Sequence, residues 1–388
     1  MNIGTLLFTM LRTEICGFDI KDGPQSSIDS NQLQALYDLS KWHDMTHIVA
    51  QAIEKMDIQA DAAVLEAFQK QQMLALFRHQ RVQFELDRLC QVLEAAKIKY
   101  IPLKGAVLRN YYPEPWMRLS CDTDILVLQE DLPAAVECIT QKLGYSKGTE
   151  GHHDCSMTSE GGVLLELHFD LIEESYYPAF SNVLSDVWSY AELKKGYEYQ
   201  YELRDEFFYF YHIAHMAKHF ESGGCGIRPF LDLWILDHRL EYDAEARKTL
   251  LERGNLCVFA QAAGRLANVW FSGEAHDDFL SLMETYVLFG GVYGNLKNGI
   301  AVKRSKTSQS KLQYLMRRLF PPYKMLRSKY PVLQKHFYLA PVFVVYRWVR
   351  WLFRGNHERT GAELVLNAGV SRSDVEVIAY LRNQLGLQ

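Results

Sequence analysis

The chain has 388 residues, 48% of them hydrophobic and 23% charged, with a formal net charge of −5. That length buries a sizeable core in two or three units, and the composition excludes a disordered or fibrous protein. Seven cysteines, odd in number and without a C-x-x-C pair, exclude a disulfide scaffold or zinc ribbon and point to reduced thiols in the cytoplasm.

Residues 1–95 read as helical. Apolar side chains recur every three or four positions from Asn31 to Ile53 (Leu33, Leu36, Leu39, Trp42) and again from Val64 to Leu93. The first residues lack the basic segment and cleavage site of a secretory signal. Gly23-Pro24 marks a loop over 21–30 between the first short helix and the second. Over 97–172 the pattern changes to short β-like runs separated by glycine, interrupted by one helix from about Leu132 to Leu143. From Phe180 onward it is mostly helical again. Phe207 to Phe220 is amphipathic, Gly223 to Gly226 interrupts the pattern, and Pro229 opens the next helix. No internal repeat stands out, and no apolar run approaches the ~20 residues that span a bilayer. The expected class is α+β, a small sheet embraced by helices. Its expected parts are an N-terminal helical region (1–95), a catalytic core (96–175), a helical domain packing on that core (176–275) and a basic, mostly helical C-terminal region (276–388).

The chemistry concentrates in Asp122-Thr-Asp124-Ile-Leu-Val127. Successive side chains of a strand point to opposite faces, so Asp122 and Asp124 share one face while Thr123 and Ile125 take the other. Two anions so placed repel unless a cation sits between them, and Mg²⁺ favours a pair of carboxylates plus substrate phosphates. The plainer alternative is a strand that begins with solvated acids. Upstream, an apolar run from Lys99 breaks at Gly105 and continues with helical spacing, with Lys104 and Arg109 adding positive charge. Glycine at such a turn lets backbone approach a ligand, and a helix N-terminus favours anions. Downstream, Gly161-Gly162 precedes Val163-Leu-Leu-Glu166-Leu-His168-Phe169, a second strand with an acid in its middle. An unpartnered buried acid is costly. If the two strands are neighbours, Glu166 becomes a third carboxylate at the same cation.

Leu103-Lys104-Gly105, Tyr112-Pro113, Arg118, the D-x-D strand, Gly144-Tyr145 and Leu165-Glu166-Leu167-His168 occur in that order. In this the chain resembles the uncharacterised nucleotidyltransferase group of the polymerase-beta-like superfamily. The resemblance covers roughly residues 100–170. It implies a small mixed nucleotidyltransferase-type sheet and transfer of a nucleoside monophosphate from an NTP to an unknown acceptor, in surface-polysaccharide or lipid-linked metabolism. By the same resemblance Asp122, Asp124 and Glu166 are the catalytic, metal-binding acids. Gly105 takes the turn role by the same resemblance; on chemical grounds Lys104 and Arg118 neutralise phosphate charge, and His168, on the Glu166 face, is a candidate contact to the nucleotide. The cofactor is Mg²⁺, with room for two ions and for Mn²⁺ in its place. The superfamily usually has Gly-Gly or Gly-Ser at the turn, where this chain has Lys104-Gly105-Ala106. Rival readings are a non-catalytic nucleotide-binding or membrane adaptor that keeps the fold, and a toxin-like enzyme that modifies RNA or protein. Arg118 has a structural alternative, pairing with Glu114 or Asp122. His168 either orients Glu166 or is a structural histidine.

Two features lie outside this motif. His212, His215 and His219 fall on one helical face, where core packing is favoured over a metal site. Between Thr285 and Asn356 there are 14 Lys and Arg and no Asp or Glu. Such segregation suggests an anionic partner, a membrane or another polyanion, met through residues 297–354. No sequence-specific nucleic-acid reader accompanies it. Phe337 to Phe353 is rich in interfacial aromatics, and Arg347, Arg350, Arg354, Trp348 and Trp351 suit a helix in the headgroup layer. The other reading is a core helix with snorkelling arginines. The expected location is cytoplasmic, peripheral to the inner face of the membrane.

Overall fold

The structure, a computed structural model, describes residues 2–19, 28–58, 61–172, 178–292, 294–307, 310–353 and 365–387, with the backbone alone at 307, 318, 328 and 351–353. Most of the expected loop over 21–30, and Arg354, lie outside the described residues. The chain divides into two compact units. The first is Met1–Lys218 with Gly226–Leu288, and the second is His219–Cys225 with Phe289–Gln388.

The first unit opens with four helices, α1 (Ile3–Leu11), α2 (Ser30–Trp42), α3 (Thr46–Lys55) and α4 (Ala62–Ala95). A capping box starts α2, with Asp29 accepting from the Gln32 amide at 2.8 Å and Gln32 returning the bond at 3.1 Å. The periodicity from Asn31 to Ile53 predicts one helix, but the structure makes two. The chain turns at Asp44, whose φ is +56°, a conformation the periodic pattern does not register. At that corner the Asp44 carboxylate accepts from Arg228 at 3.2 Å.

Five strands follow: β1 (Tyr100–Pro102), β2 (Asp122–Val127), β3 (Ser146–Glu150), β4 (Asp154–Thr158) and β5 (Leu164–His168). One turn of helix, α5 (Gly105–Leu108), lies between β1 and β2, and α6 (Leu132–Leu143) follows β2. The sheet is mixed, in the order β1-β2-β5-β4-β3. Only β2 and β5 are parallel to each other. Their register sets Asp124 opposite Glu166 and Ile125 opposite Leu167. The period of two then separates the faces. Ile125, Val127, Leu165 and Leu167 join Cys155 and Met157 in a core closed by Leu86, Leu89 and Leu93 of α4 and Ala135 and Ile139 of α6. Full burial of each large aliphatic side chain contributes about 1.5–3 kcal/mol. The opposite face carries Asp122, Asp124, Glu166 and His168.

Beyond the sheet come α7 (Pro178–Leu184), a hairpin of β6 (Ala191–Leu193) and β7 (Tyr201–Leu203), and α8 (Asp205–Phe220). The hairpin interrupts a stretch whose pattern predicts helix. Its neighbour Tyr199 accepts a backbone bond from Tyr100 at 3.0 Å, tying it to β1. Helices α9 (Ile227–Arg239), α10 (Ala244–Arg253), α11 (Cys257–Phe271) and α12 (Asp278–Gly290) follow.

The second unit contains α13 (Leu296–Thr307), α14 (Lys311–Leu319), α15 (Tyr323–Lys329), α16 (Ala340–Phe353) and α17 (Arg372–Gln384). The Glu221 carboxylate pairs with Arg382 of α17 at 3.0 Å and Lys306 of α13 at 3.2 Å. Gly223, with φ +134°, admits no side chain, because a Cβ there would lie 3.0 Å from the Asn295 carbonyl and the Gly299 nitrogen. All seven cysteines are free thiols. Among the described residues no helix is long and apolar enough to cross a membrane.

Candidate functional site

The alternation that buries Ile125 and Leu167 on one face brings Asp124, Glu166 and His168 together on the other. One ligand atom from each lies within 4.8 Å of the others. The His168 Nε2 is 2.9 Å from the Asp124 Oδ1 and 3.5 Å from the Glu166 Oε2. Asp124 and His168 are buried, whereas the Glu166 side chain keeps 31% of its surface. Asp122 sits two residues before Asp124 on the same face and is half-buried. Across β5, Asp154 lies opposite His168 and Ser156 opposite Glu166.

Lys104 supplies the counter-charge. Its Nζ lies 2.7 Å from the Asp124 Oδ1. The residue takes φ +43° and ψ −116° at the junction of β1 and α5, a backbone state that costs of order 1–3 kcal/mol without glycine. The left-handed position therefore falls on the lysine rather than on Gly105. Gly105 has another reason to lack a side chain: a Cβ would lie 3.0 Å from the Ser120 Cβ and 3.1 Å from its Oγ. Its carbonyl accepts from the buried Arg109 Nε at 2.7 Å, and Arg109 also donates to the Ser120 Oγ at 3.0 Å. Burial, then the nearby Arg118, holds the Arg109 guanidinium down to about 10. The strand junction is thus clamped from below.

Protonation follows from this arrangement. Burial, the Asp124 charge and the Glu166 charge push the Asp122 carboxyl up to about 6, with Lys104 offsetting part of the rise. Burial alone would raise Asp124 too, but Lys104 and His168 outweigh it and hold that carboxyl below the usual range. Burial works against the charged forms of Lys104 and His168, yet Asp124 raises both. Three acids face one lysine and one histidine, and Asp122 is the acid left short of positive charge.

Asp124, Glu166 and His168 form a group that could hold a metal ion. Two carboxylates and an imidazole form an oxygen-and-nitrogen donor set of workable span. The His168 Nδ1 is buried without a hydrogen-bond partner, while its Nε2 faces the ionised Asp124 carboxylate at 2.9 Å, so Nε2 carries the proton. Sequence reasoning names Asp122, Asp124 and Glu166 as the ligand set. The geometric cluster has His168 in it, with Asp122 at its edge.

Arg118 is anchored by α9. Its Nε donates to Asp232 of α9 at 2.7 Å and its Nη1 to the Leu119 carbonyl at 2.6 Å, while the Tyr112 hydroxyl donates to the same Asp232 oxygen at 2.7 Å. Its hydrogen bonds therefore go to neither Glu114 nor Asp122, although the Asp122 charge acts on it from nearby. Tyr211 of α8 lies in the amphipathic segment Phe207 to Phe220 and is fully drawn into this charged neighbourhood. Its buried hydroxyl has no hydrogen-bond partner, and burial raises its pKa in a field set by Lys104, Asp124 and Glu166. No local pattern marks Tyr211, which α8 brings to the sheet from far along the chain. His212 of the same helix turns its Nε2 to the Pro229 carbonyl at 2.8 Å, and His215 lies against Tyr211 with ring centroids 6.3 Å apart. Among the described residues, His212, His215 and His219 form no metal-binding cluster.

A protein-family model described as an uncharacterised nucleotidyltransferase matches residues 29–272, more than half of the chain. No curated protein matches it.

Proposed function

We propose that this chain, which belongs to the uncharacterised nucleotidyltransferase family, transfers a nucleoside monophosphate from an NTP to an acceptor nucleophile. The observation that carries the reading is the convergence of Asp124, Glu166 and His168 within 4.8 Å on adjacent parallel strands. Asp122, Asp124 and Glu166 would hold Mg²⁺ or Mn²⁺, with His168 joining them or fixing the Asp124 carboxylate. When bound, the cation supplies charge neutralisation to the triphosphate and acidifies oxygens that touch it. The remaining work falls to the side chains. Lys104, partly exposed and already beside Asp124, offers its ammonium to phosphate charge as it redistributes. Glu166, the most exposed of the cluster, is the group we assign to take the proton of the acceptor. Arg118, committed to Asp232, adds positive potential and fixes the approach to β2. Gly105 holds the turn close against Ser120. The free thiols support a reducing, cytoplasmic setting for the reaction.

The test uses each NTP labelled on its α-phosphate, incubated with Mg²⁺ and a lysate separated into lipid, RNA, protein and small-molecule fractions. Wild type should label one fraction. Asp122→Asn/Asp124→Asn should lose transfer by roughly a thousandfold or more while keeping its circular dichroism. Nucleotide binding without label in any fraction would replace this reading with a nucleotide-sensing role.

A further inference from the structure

The helix α16 presents its surface in an unusual order. Its aromatic side turns inward: Phe343 meets Tyr330 with ring centroids 4.7 Å apart, and Trp348 meets Phe320 at 5.1 Å and donates to the Leu319 carbonyl at 3.0 Å. The outward side is apolar as well. Val342, Val345, Tyr346 and Val349 recur at helical spacing, and Val342 is 60% exposed. They line a shallow recess together with Pro341. Just before the helix, Phe337 and Tyr338 are 70% and 63% exposed. A water-facing helix normally shows charge on this side. The exposed side chains Lys335 and Arg350 bracket this apolar surface in the chain, and residues 285–356 contribute cations without a single acid.

We propose that this face of α16 lies on an anionic lipid surface, burying the valines and Tyr346 at the headgroup boundary while Lys335 and Arg350, at its two ends in the chain, meet the lipid charge. Charge decides among the occupants. A second copy of the chain would bring a like-charged, acid-free segment against this one. A nucleic acid would satisfy the cations but leave the valine face in water, since its backbone offers phosphate rather than apolar surface. An anionic bilayer matches both the apolar strip and the charge. The helix does not span the membrane; it is 14 residues long, and the depth required of it is only that of the headgroup boundary. Trp348, read from sequence as an interfacial anchor, faces the protein instead, so the anchors are the valines, Tyr346 and the exposed Phe337. This inference does not depend on the chemistry of the sheet.

The test is flotation of the full chain with phosphatidylcholine vesicles made with and without phosphatidylserine. Binding is expected to the anionic vesicles only and to fall with added salt. Val345→Ser/Val349→Ser should weaken it at least about tenfold, and Lys335→Gln/Arg350→Gln should weaken it several-fold. Both pairs are exposed, and unchanged circular dichroism would confirm that the variants fold. The proposal is overturned if wild type ignores anionic vesicles, binds neutral ones equally, or binds undiminished after the valine substitutions. It is equally overturned if sedimentation shows a dimer that the valine substitutions dissociate, since a second copy would then cover this face.

Discussion

The two faces of the central sheet come from the same two strands and behave as opposites. On one, Ile125, Val127, Leu165 and Leu167 fill a core shared with α4 and α6. On the other, one residue along, Asp122, Asp124, Glu166 and His168 crowd charge into a half-closed site. The apolar face is organised by volume and supplies stability. The polar face is organised by charge and consumes it, through a positive φ at Lys104 and carboxylates whose mutual repulsion one lysine only partly offsets. We read this cost as the mark of a binding face.

Substitutions should therefore move stability in opposite directions on the two faces. The largest effect belongs to the core. Leu165→Ala, at a fully buried position, should cost about 2–5 kcal/mol in urea unfolding, while the folded fraction keeps its affinity for nucleotide. A smaller loss belongs to the rim that joins the faces. Gly105→Ala places a methyl 3.0 Å from the Ser120 Cβ and should cost about 1–3 kcal/mol by overpacking. Ser120→Gly in the same protein should restore part of it.

The smallest effect has the opposite sign. The Asp122 carboxyl titrates at about 6 in the folded chain, against 3.8 for an ordinary aspartate. The folded state thus holds this proton more tightly than the unfolded chain. The stability this lends is full below pH 3.8 and is lost as pH rises through 6. With chelator present, Asp122→Asn should stabilise the protein by about 1–2 kcal/mol at pH 7. The gain should shrink toward zero near pH 4. A destabilised Asp122→Asn at pH 7 would erase the contrast between the faces.

Much of this division was readable from residue order alone. The period of two placed Asp122 with Asp124, and the acid within Leu165-Glu166-Leu167 pointed to a neighbouring strand, which the parallel pairing of β2 and β5 supplies. The helix expected from about Leu132 to Leu143 is α6. Other features depend on contacts between residues far apart in sequence. Arg118 and Asp232 are 114 positions apart, and nothing near either names the other. Tyr211 reaches the site only because α8 folds back over the sheet. The corner at Asp44 left no glycine or proline to announce it, and the hairpin of β6 and β7 is too short and exposed to show a strand period. Local periodicity reports which side of an element is buried; it carries no information about what arrives from elsewhere to cover it.

We propose that the polar face is a divalent-cation site. Its most direct measurement is calorimetric titration of Mn²⁺ into the chelator-treated full chain, comparing wild type with Asp124→Asn and Glu166→Gln. Saturable binding by wild type, weakened at least about tenfold in each variant, is the predicted result. No binding by wild type, or binding that survives both substitutions unchanged, would contradict it.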